Sequence, residues 1–234
     1  MKTILLPILS VVLLVVGALA YGLGSPESTL LGPALVRLAS RPGAREVALT
    51  FDDGPTPVTA EILDVLKARG VKATFFLCGA AAERHPELVR RIRDEGHAIG
   101  NHTWSHPYLH LMRGKDIASE IDRTQDSLER ITGSRPTMFR PPFGVRWFPL
   151  WGLLRERGLT MVLWSDRGYD GKLDSAGIER ETVSQLSPGA IILLHDGFEA
   201  KPDAQVDRAA TAKALPAIID RARASGYAFV PLKG

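Results

Sequence analysis

VALTFDDGP, residues 47–55, predicts a buried strand that ends in two adjacent carboxylates, Asp52 and Asp53, and then a turn. Side chains alternate across a strand, so its apolar residues would pack against neighbours while the chain breaks into solvent at the Gly-Pro pair. Two like charges side by side repel unless each has its own partner. A metal ion for one and an arginine for the other would supply those partners. The competing interpretation is that one aspartate only caps the following helix.

Short apolar runs alternate with segments of helical periodicity from residue 46 onward. The runs predict strands at 47–51, 73–78, 98–101, 137–140, 160–164, 190–195 and 228–232. The segments between them predict helices at 58–69, 80–95, 115–132, 148–157, 179–186 and 211–224, and a glycine follows several of them. This alternation indicates an α/β fold with parallel strands. About seven units favour a barrel or partly open barrel over a doubly wound sheet.

Composition excludes several classes of protein. The chain has 234 residues, 45% of them hydrophobic, which is enough for one domain with a sizeable core. A net charge of +3, without a run of five basic residues, gives no support for nucleic-acid binding. The single cysteine, Cys78, excludes an intrachain disulfide and a cysteine-based zinc cluster. No G-x-G-x-x-G follows the first strand, so a dinucleotide fold lacks its main support.

The amino terminus carries a targeting signal. Residues 4–23 are apolar and uncharged, and they follow a single lysine. Residues 1–23 are therefore predicted to be a signal peptide, cleaved before Tyr21, or an uncleaved membrane anchor. Residues 24–45 are predicted as a linker with a short helix at 30–39, and residues 46–234 as the folded domain. Either outcome places the domain outside the cytoplasmic membrane: periplasmic, cell-surface or secreted.

Residues with catalytic or metal-binding side chains follow five of the predicted strands. In chain order they are Asp52 and Asp53, His102 and His106, Arg140, Asp166 and Asp170, and His195 and Asp196. The carboxyl ends of parallel barrel strands form one face, where active sites are built. Because a helix cap alone would not predict the other four groups, the pattern favours a site.

His102 and His106 have the four-residue spacing that lets two side chains share a metal ion. Pro107 disfavours a helical conformation at His106, so the pair is expected on a turn at the start of a helix. Two imidazoles and one carboxylate leave positions open for water and substrate, and Zn²⁺ is the default occupant. The alternative is a pair of unrelated surface histidines. The remaining histidines lack such a pattern and are expected to be structural or on the surface: His85, His97 and His110.

Five segments resemble, in order, the motifs of the NodB-homology polysaccharide deacetylases, carbohydrate esterase family 4. They are TFDDG (50–54), HTWSH (102–106), RPPFG (140–144), WSDRGYD (164–170) and LLHDG (193–197). The resemblance covers residues 46–232. It implies a distorted (β/α)7 barrel with mainly parallel strands, in agreement with the strand count.

The resemblance also implies an activity and a role for each matching residue. The protein would be a hydrolase of carbon–nitrogen bonds other than peptide bonds. It would remove N-acetyl groups from amino sugars of an envelope or extracellular polysaccharide, peptidoglycan or chitin-like. Water activated by a divalent metal, Zn²⁺ or else Co²⁺ or another ion, would attack the amide. The implied roles are general base for Asp52, general acid for His195, metal ligands for Asp53, His102 and His106, partner of the base for Arg140, orientation of the acid for Asp170, and oxyanion or substrate binding for Phe143 and Pro142.

One position departs from the family pattern. The fourth motif usually ends in Asp-Trp, whereas here Asp170 is followed by Gly171. The candidates to replace the missing indole are Trp147, Trp164 and Tyr169. The rim loops also contain Arg146 and Arg167, which would meet an anionic glycan or else be simply solvated.

Three other functions compete with N-deacetylation. An iron oxygenase could use the same two histidines and one carboxylate, although it would need neither Asp52 nor His195. A metal-holding module could bind glycans without turnover, but binding alone would not require the base, the arginine, the acid and its partner. O-deacetylation of xylan uses the same chemistry. The expected partner is an acetylated amino-sugar glycan bound by a monomer, with no nucleic acid and with membrane contact only through the N-terminal segment.

Overall fold

A parallel sheet carries the site, with helices packed around it. The computed structural model describes residues 17, 25, 27–39, 43–197 and 208–233. Its strands are β1 (Glu46–Asp52), β2 (Thr74–Leu77), β3 (Ala98–Asn101), β4 (Met138–Phe139), β5 (Thr160–Met161), β6 (Asp166–Arg167), β7 (Ile191–His195) and β8 (Ala228–Phe229). Its α-helices are α1 (Pro57–Ala68), α2 (Gly79–Arg84), α3 (Pro86–Asp94), α4 (Gly114–Thr132), α5 (Phe148–Glu156), α6 (Ser175–Ser184) and α7 (Ala209–Ala224). Two 3₁₀ turns occupy Leu109–Leu111 and Pro142–Gly144.

The strands run in the order β5-β4-β3-β2-β1-β7-β6, and each of these neighbours pairs in parallel. The short β8 pairs with the beginning of β1. The result is a curled half-barrel surrounded by helices, so the prediction of a distorted (β/α)7 barrel is confirmed. All the carboxyl ends of the seven strands therefore lie on one face.

The central strand β1 is buried on both of its faces. Val47, Leu49 and Phe51 are fully buried in the main core, together with apolar residues of α1 and α7. The Phe51 ring stacks on Phe75 with 5.1 Å between centroids, and burial of each such side chain contributes about 1.5–3 kcal/mol. On the other face, the Thr50 hydroxyl donates to the Ile192 carbonyl at 2.7 Å. This packing fixes the end of the strand where the aspartates begin.

Some element boundaries differ from the predictions for local reasons. The single helix expected at 80–95 is two helices, because Pro86 starts a new one at its first turn. The helix expected at 179–186 begins at Ser175, because the Asp174 side chain caps it by accepting from the Gly177 N–H at 2.8 Å. The two-residue strand β6 is too short to leave a periodic pattern, and the prediction missed it.

The helix predicted at 30–39 is wrong. Leu35 forms a β-bridge with Val162 and Arg37 one with Ala190, so the segment runs extended along the barrel. Gly32 has a φ of +92°, and a Cβ there would lie 2.6 Å from the Trp151 ring. A residue with this φ cannot continue a right-handed helix.

The predicted signal peptide or anchor, residues 1–23, lies outside the described residues apart from Gly17. Among the described helices, none combines the length and the apolar character needed to span a bilayer. The linker at 24–45 and the domain limit at residue 46 stay predictions.

Candidate active site

Residues from the carboxyl ends of the strands line one cavity of about 340 Å³. The predicted site residues that line it are Asp52, Asp53, His102, His106, Phe143, Asp170 and His195. Arg140 is fully buried behind Asp52, and Pro142 is buried in the 3₁₀ turn that carries Phe143. The cavity wall also includes Trp164, Arg167, Tyr169, Gly171, Lys172, Leu193 and Arg208. The fold thus brings together residues separated by more than 140 positions in the chain.

The two neighbouring aspartates have different partners. Asp52 is the last residue of β1, and its Oδ1 lies 2.7 Å from Nη1 of Arg140. Asp53 has a φ of +77°, which turns the chain sharply at the strand end. Its Oδ1 lies 3.2 Å from Nε2 of His102 and 3.2 Å from Nε2 of His106. The repulsion between the two carboxylates is therefore offset by two separate sets of positive or proton-donating groups.

The atoms of Asp53, His102 and His106 fit a divalent cation. One ligand atom from each residue lies within 4.8 Å of the others, and all three residues are buried. Two ligands bound tetrahedrally at about 2.0–2.1 Å are separated by about 3.3 Å, close to the two 3.2 Å separations. Asp53 Oδ1 is buried without a hydrogen-bond partner in the described part of the chain. Such an atom needs a cation or a donor, since an unsatisfied buried carboxylate oxygen is costly.

Both histidines are oriented by their own surroundings. Nδ1 of His102 lies 2.7 Å from the Arg140 carbonyl, so this nitrogen donates and Nε2 keeps its lone pair for a ligand. The His106 ring packs against Phe143 with 4.6 Å between centroids. His106 has a φ of +54° and lies in the loop before the 3₁₀ turn at Leu109–Leu111, not on a helix.

The HTWSH turn is held by short-range hydrogen bonds. The Thr103 N–H donates to the Asn101 side chain at 2.8 Å, and the His106 N–H donates to the Thr103 hydroxyl at 3.1 Å. Glu120 of α4 accepts from the N–H groups of Trp104 and Ser105 at 2.9 and 2.8 Å. These bonds hold the backbone between the two histidines, which fixes the spacing of their rings.

Burial and neighbouring charges shift the pKa values of Asp53, His102 and His106, which together are called the triad. Burial would raise the pKa of Asp53, but the close approach of His102 and the charges of three nearby histidines lower it well below its ordinary range. Burial, reinforced by the charge of His102, lowers the pKa of His106 to about 4. Burial would lower the pKa of His102, but the charge of Asp52 and the close approach of Asp53 outweigh it and raise this pKa. An ionised carboxylate beside a neutral His106 is the form that binds metal.

Arg140 is the fully buried partner of Asp52. Its Nη1 also donates to the Thr50 hydroxyl at 2.7 Å, and its Nη2 donates to the Leu163 carbonyl at 2.9 Å. The guanidinium lies 4.1 Å above the Phe76 ring. Burial lowers the pKa of Arg140 although Asp52 opposes this. Removing either member of such a pair leaves the other charge buried alone, which is strongly destabilising.

Half-buried His195 and buried Asp170 form a second pair. Nδ1 of His195 lies 2.8 Å from Asp170 Oδ1, while Oδ2 accepts from the His195 N–H at 2.6 Å and from the Thr211 hydroxyl at 2.9 Å. Burial favours the neutral imidazole, but the charge and hydrogen bond of Asp170 outweigh it and raise the pKa of His195 to about 9. His195 therefore carries a proton at neutral pH, with Nε2 as its other donor.

Asp196 holds the turn that follows Asp53. Its Oδ1 accepts from the Gly54 N–H at 3.1 Å, and its Oδ2 accepts from the Thr59 hydroxyl at 2.6 Å. A Cβ on Gly54 would lie 2.1 Å from Asp196 Oδ2, so only glycine fits there. Burial raises the pKa of Asp196 to about 7. Sequence reasoning noted its position beside His195 but assigned it no role.

Backbone strain concentrates around the cavity. Within the described chain, five residues other than glycine have a positive φ: Asp53, Thr103, His106, Phe143 and Tyr169. Four of these line the cavity, and the other lies in the HTWSH turn. A left-handed conformation at such residues costs about 1–3 kcal/mol and is typical of functional sites. At Phe143 the left-handed conformation (φ +59°) lies inside the 3₁₀ turn whose Phe143 ring packs against His106.

Two of the three residues considered as replacements for the missing tryptophan side chain line the cavity. Trp164 and Tyr169 line the cavity, whereas Trp147 lies outside its wall and contacts Phe148 and His110. Trp164 packs closely on the loop that carries Phe143, because a Cβ on Gly144 would lie 2.5 Å from its ring.

Some candidates from the sequence lie elsewhere. Asp166 is bonded to the Ser165 hydroxyl at 2.8 Å and does not line the cavity. The assignment of Arg146 to the rim is wrong, because it is buried and donates to the Ser28 carbonyl at 2.5 Å. Arg167 does line the cavity, with its guanidinium 4.7 Å above Trp164.

The other histidines lie outside the triad. His97 is buried, with its Nδ1 accepting from the Ala73 N–H at 3.1 Å. His85 is half-buried and His110 is exposed.

Three residues of the site were missed by the sequence analysis. Thr50, Thr211 and Arg208 each contact a charged site residue that is at least 38 positions away in the chain. Thr50 is part of the TFDDG motif, which is a signal that could have identified it. Nothing local distinguishes the other two.

Comparisons with known proteins agree with this geometry. The family model described as Polysaccharide deacetylase matches residues 39–162. A peptidoglycan-N-acetylglucosamine deacetylase of Bacillus cereus is 40% identical over 195 residues, which cover 80% of this chain and 66% of that protein. One from Listeria monocytogenes is 35% identical over 205 residues, which cover 86% of this chain and 41% of that protein.

A solved structure shows the same architecture. The Bc1960 peptidoglycan N-acetylglucosamine deacetylase has a TM-score of 0.76 and 38% identity, covering 81% of this chain and 87% of that one. The chain spans just under two thirds of the Bacillus cereus relative and about two fifths of the Listeria relative. The family model nevertheless matches more than half of the chain, and the protein belongs to the polysaccharide deacetylases of carbohydrate esterase family 4.

Proposed function

We propose that this protein is a metal-dependent hydrolase that removes N-acetyl groups from the amino sugars of an envelope or extracellular polysaccharide. The observation that carries this proposal is that one cavity is built from three groups of side chains, each suited to a different chemical role. It contains the triad around Asp53, the Asp52–Arg140 pair and the His195–Asp170 pair. Glycan binding without turnover would not require the last two pairs, and neither would an oxygenase.

Asp53, His102 and His106 would hold the divalent cation, with Zn²⁺ as the first choice and Co²⁺ or another divalent ion as alternatives. Such an ion supplies a Lewis acid for a carbonyl oxygen and lowers the pKa of water. The carbonyl of Arg140 keeps the His102 tautomer suited to this role.

Asp52 is placed to act as general base. Arg140 holds its Oδ1, which leaves Oδ2 beside the triad, 3.8 Å from Nε2 of His102. The buried arginine and the neighbouring imidazole keep Asp52 oriented while it accepts a proton from the attacking water. A positioned general base contributes about 10²–10⁴-fold in rate.

His195 would donate its proton to the departing amine. Asp170 fixes the ring by two bonds, to Nδ1 and to the backbone N–H, so Nε2 presents the proton to the cavity. The Phe143 N–H would donate to the oxyanion that develops on the carbonyl. Fixed donors of this kind contribute about 2.7–4 kcal/mol to stabilisation of the transition state.

Exposed aromatic rings at the rim support a glycan substrate. Tyr108 and Phe143 stack with 4.3 Å between centroids, and they are 54% and 43% exposed. Tyr169, which also lines the cavity, is 47% exposed. Apolar ring surface beside a polar cavity is typical of a ligand-binding groove. Such rings can pack against the C–H faces of pyranose units.

The cellular setting follows from the sequence. We assign residues 1–23 to a signal peptide or membrane anchor and residues 46–234 to the catalytic domain, working as a monomer outside the cytoplasmic membrane. The two relatives named as peptidoglycan deacetylases support a cell-wall substrate.

A substrate panel tests the proposal. The metal-loaded protein is incubated with chitooligosaccharides, peptidoglycan fragments and acetylated xylan, and acetate and free amines are measured by mass spectrometry. We expect acetate with an equal amount of amine from one of the first two substrates. Acetate from xylan alone would reassign the enzyme to O-deacetylation. No acetate from any substrate, with metal bound, would indicate a binding module.

Asp170→Asn should move the alkaline limit of activity to lower pH. The acid must be protonated, and the paired carboxylate raises the pKa of His195 from 6.5 to about 9. The pair therefore contributes stability in full below the unfolded pKa, and this contribution is lost as the pH rises through the folded value. Without the charge, the proton leaves at lower pH, and kcat on the alkaline side should fall about 10- to 100-fold. A kcat profile against pH checks this, and an unmoved alkaline limb would contradict the role of Asp170.

A further inference from the structure

Arg208 lies against the proposed acid pair. Its side chain is 6% exposed and lines the cavity. Its Nη1 lies 3.4 Å from Asp170 Oδ1, the same oxygen that lies 2.8 Å from Nδ1 of His195. Two cationic side chains thus share one carboxylate oxygen in a largely buried setting, where charge pairing is only weakly screened.

The same guanidinium also reaches the turn beside the metal triad. Nε of Arg208 donates to the Gly197 carbonyl at 3.0 Å. Gly197 itself packs on the backbone of Asp53, because a Cβ at Gly197 would lie 2.5 Å from the Asp53 carbonyl oxygen. Arg208 therefore links the acid pair to the backbone that carries a proposed metal ligand.

Gly171 leaves the space in which the guanidinium lies. A Cβ on Gly171 would be 3.4 Å from Nη1 of Arg208, which is the edge of ordinary contact. A side chain at this position would therefore begin in contact with the guanidinium. The absent side chain after Asp170 and the buried arginine are therefore complementary features of this chain.

We propose that Arg208 is a positioning residue for the deacetylation reaction, fixing Asp170 and thereby the His195 ring, and that it fills the cavity wall left open by Gly171. This inference rests on the proposed function. A purely structural role for Arg208, at the start of α7, would affect folding without changing the geometry of His195.

Four variants separate these roles: Arg208→Gln, Arg208→Lys, Gly171→Trp and the double variant Gly171→Trp/Arg208→Gln. The matched control is Arg221→Gln, which removes an exposed α7 arginine that lies 2.8 Å from Glu179, outside the cavity wall. Each full-length protein is loaded with Zn²⁺, its metal content and Tm are measured, and kcat and KM are determined separately on an N-acetylglucosamine tetramer.

We expect Arg208→Gln to lower kcat about 10- to 100-fold, with KM within about threefold and metal content unchanged, because a misplaced reacting group costs about this much. Arg208→Lys should recover part of the loss, and the control should match the parent protein. Gly171→Trp should lower kcat in the parent protein but have a smaller effect when Arg208 is already Gln. Independent effects at the two positions would overturn the proposed coupling.

A second readout does not need a substrate. The His195 Nδ1 proton, bonded to Asp170, should give a low-field proton NMR signal in the parent protein and in Arg221→Gln. Arg208→Gln should broaden or shift it, whereas Arg208→Lys should retain it. An unchanged signal in a folded Arg208→Gln protein would overturn the inference. If that variant does not fold, a parent-like kcat in Gly171→Trp would overturn it. A protein that releases no acetate but shows these NMR changes would refute the proposed function alone.

Discussion

Asp52→Asn should lower kcat by about 10²–10⁴-fold, the contribution of a positioned general base, and leave metal binding intact. The neutral amide cannot accept the proton from water, but its oxygen can still accept from Arg140, 2.7 Å away in the parent protein. The ligand triad does not include residue 52, so one ion per chain should remain.

Metal analysis and single-turnover kinetics on the same sample measure both effects. The matched control is Asp166→Asn, since Asp166 is also buried but lies outside the cavity wall. Asp166→Asn should have the metal content and the turnover rate of the parent protein. Near-normal turnover by Asp52→Asn would contradict its role as base, and loss of the metal would show that the two aspartates do not have separate functions.

His102→Ala should remove both the ion and the activity. It deletes one of three buried ligands, and we expect metal affinity to fall by more than about 100-fold, because even partners outside the ligand set contribute about 10–100-fold. Asp53→Asn should also lower the affinity for the ion, since the neutral amide is a poorer ligand than the carboxylate. In the parent protein, that carboxylate lies 3.2 Å from Nε2 of both histidines. In both variants, the turnover rate should be proportional to the amount of bound metal.

Calorimetric titration with Zn²⁺ measures this loss, and His110→Ala is the control. His110 is exposed and lies outside the triad, so its removal should change neither affinity nor rate. Full turnover by a metal-free His102→Ala protein would refute the metal-dependent mechanism.

The sequence predicted most reliably those strands that end in residues with catalytic or metal-binding side chains. β1 was predictable because its apolar run ends at two aspartates and a Gly-Pro turn, and β3 because its run leads into two spaced histidines. Parallel strands then required these ends to share a face.

Contacts between distant segments were not predictable in the same way. Arg208 at the start of α7 lies beside Asp170, 38 positions earlier in the chain, and Arg146 donates to the carbonyls of Ser25 and Ser28, more than 110 positions away. In the same way, the extended path of residues 35–37 is set by bridges to Val162 and Ala190, which local propensity does not contain. Tertiary contacts override local signals at each of these places.

Acetate release as a function of bound metal tests the central claim most directly. Metal-free protein is titrated with Zn²⁺ while acetate from an N-acetylglucosamine tetramer and from peptidoglycan fragments is counted against the ions bound per chain. The account predicts no release without metal, a rate that rises in proportion to occupancy, and saturation at one ion per chain. Release by the metal-free protein, or one bound ion per chain with no acetate from either glycan, would contradict it.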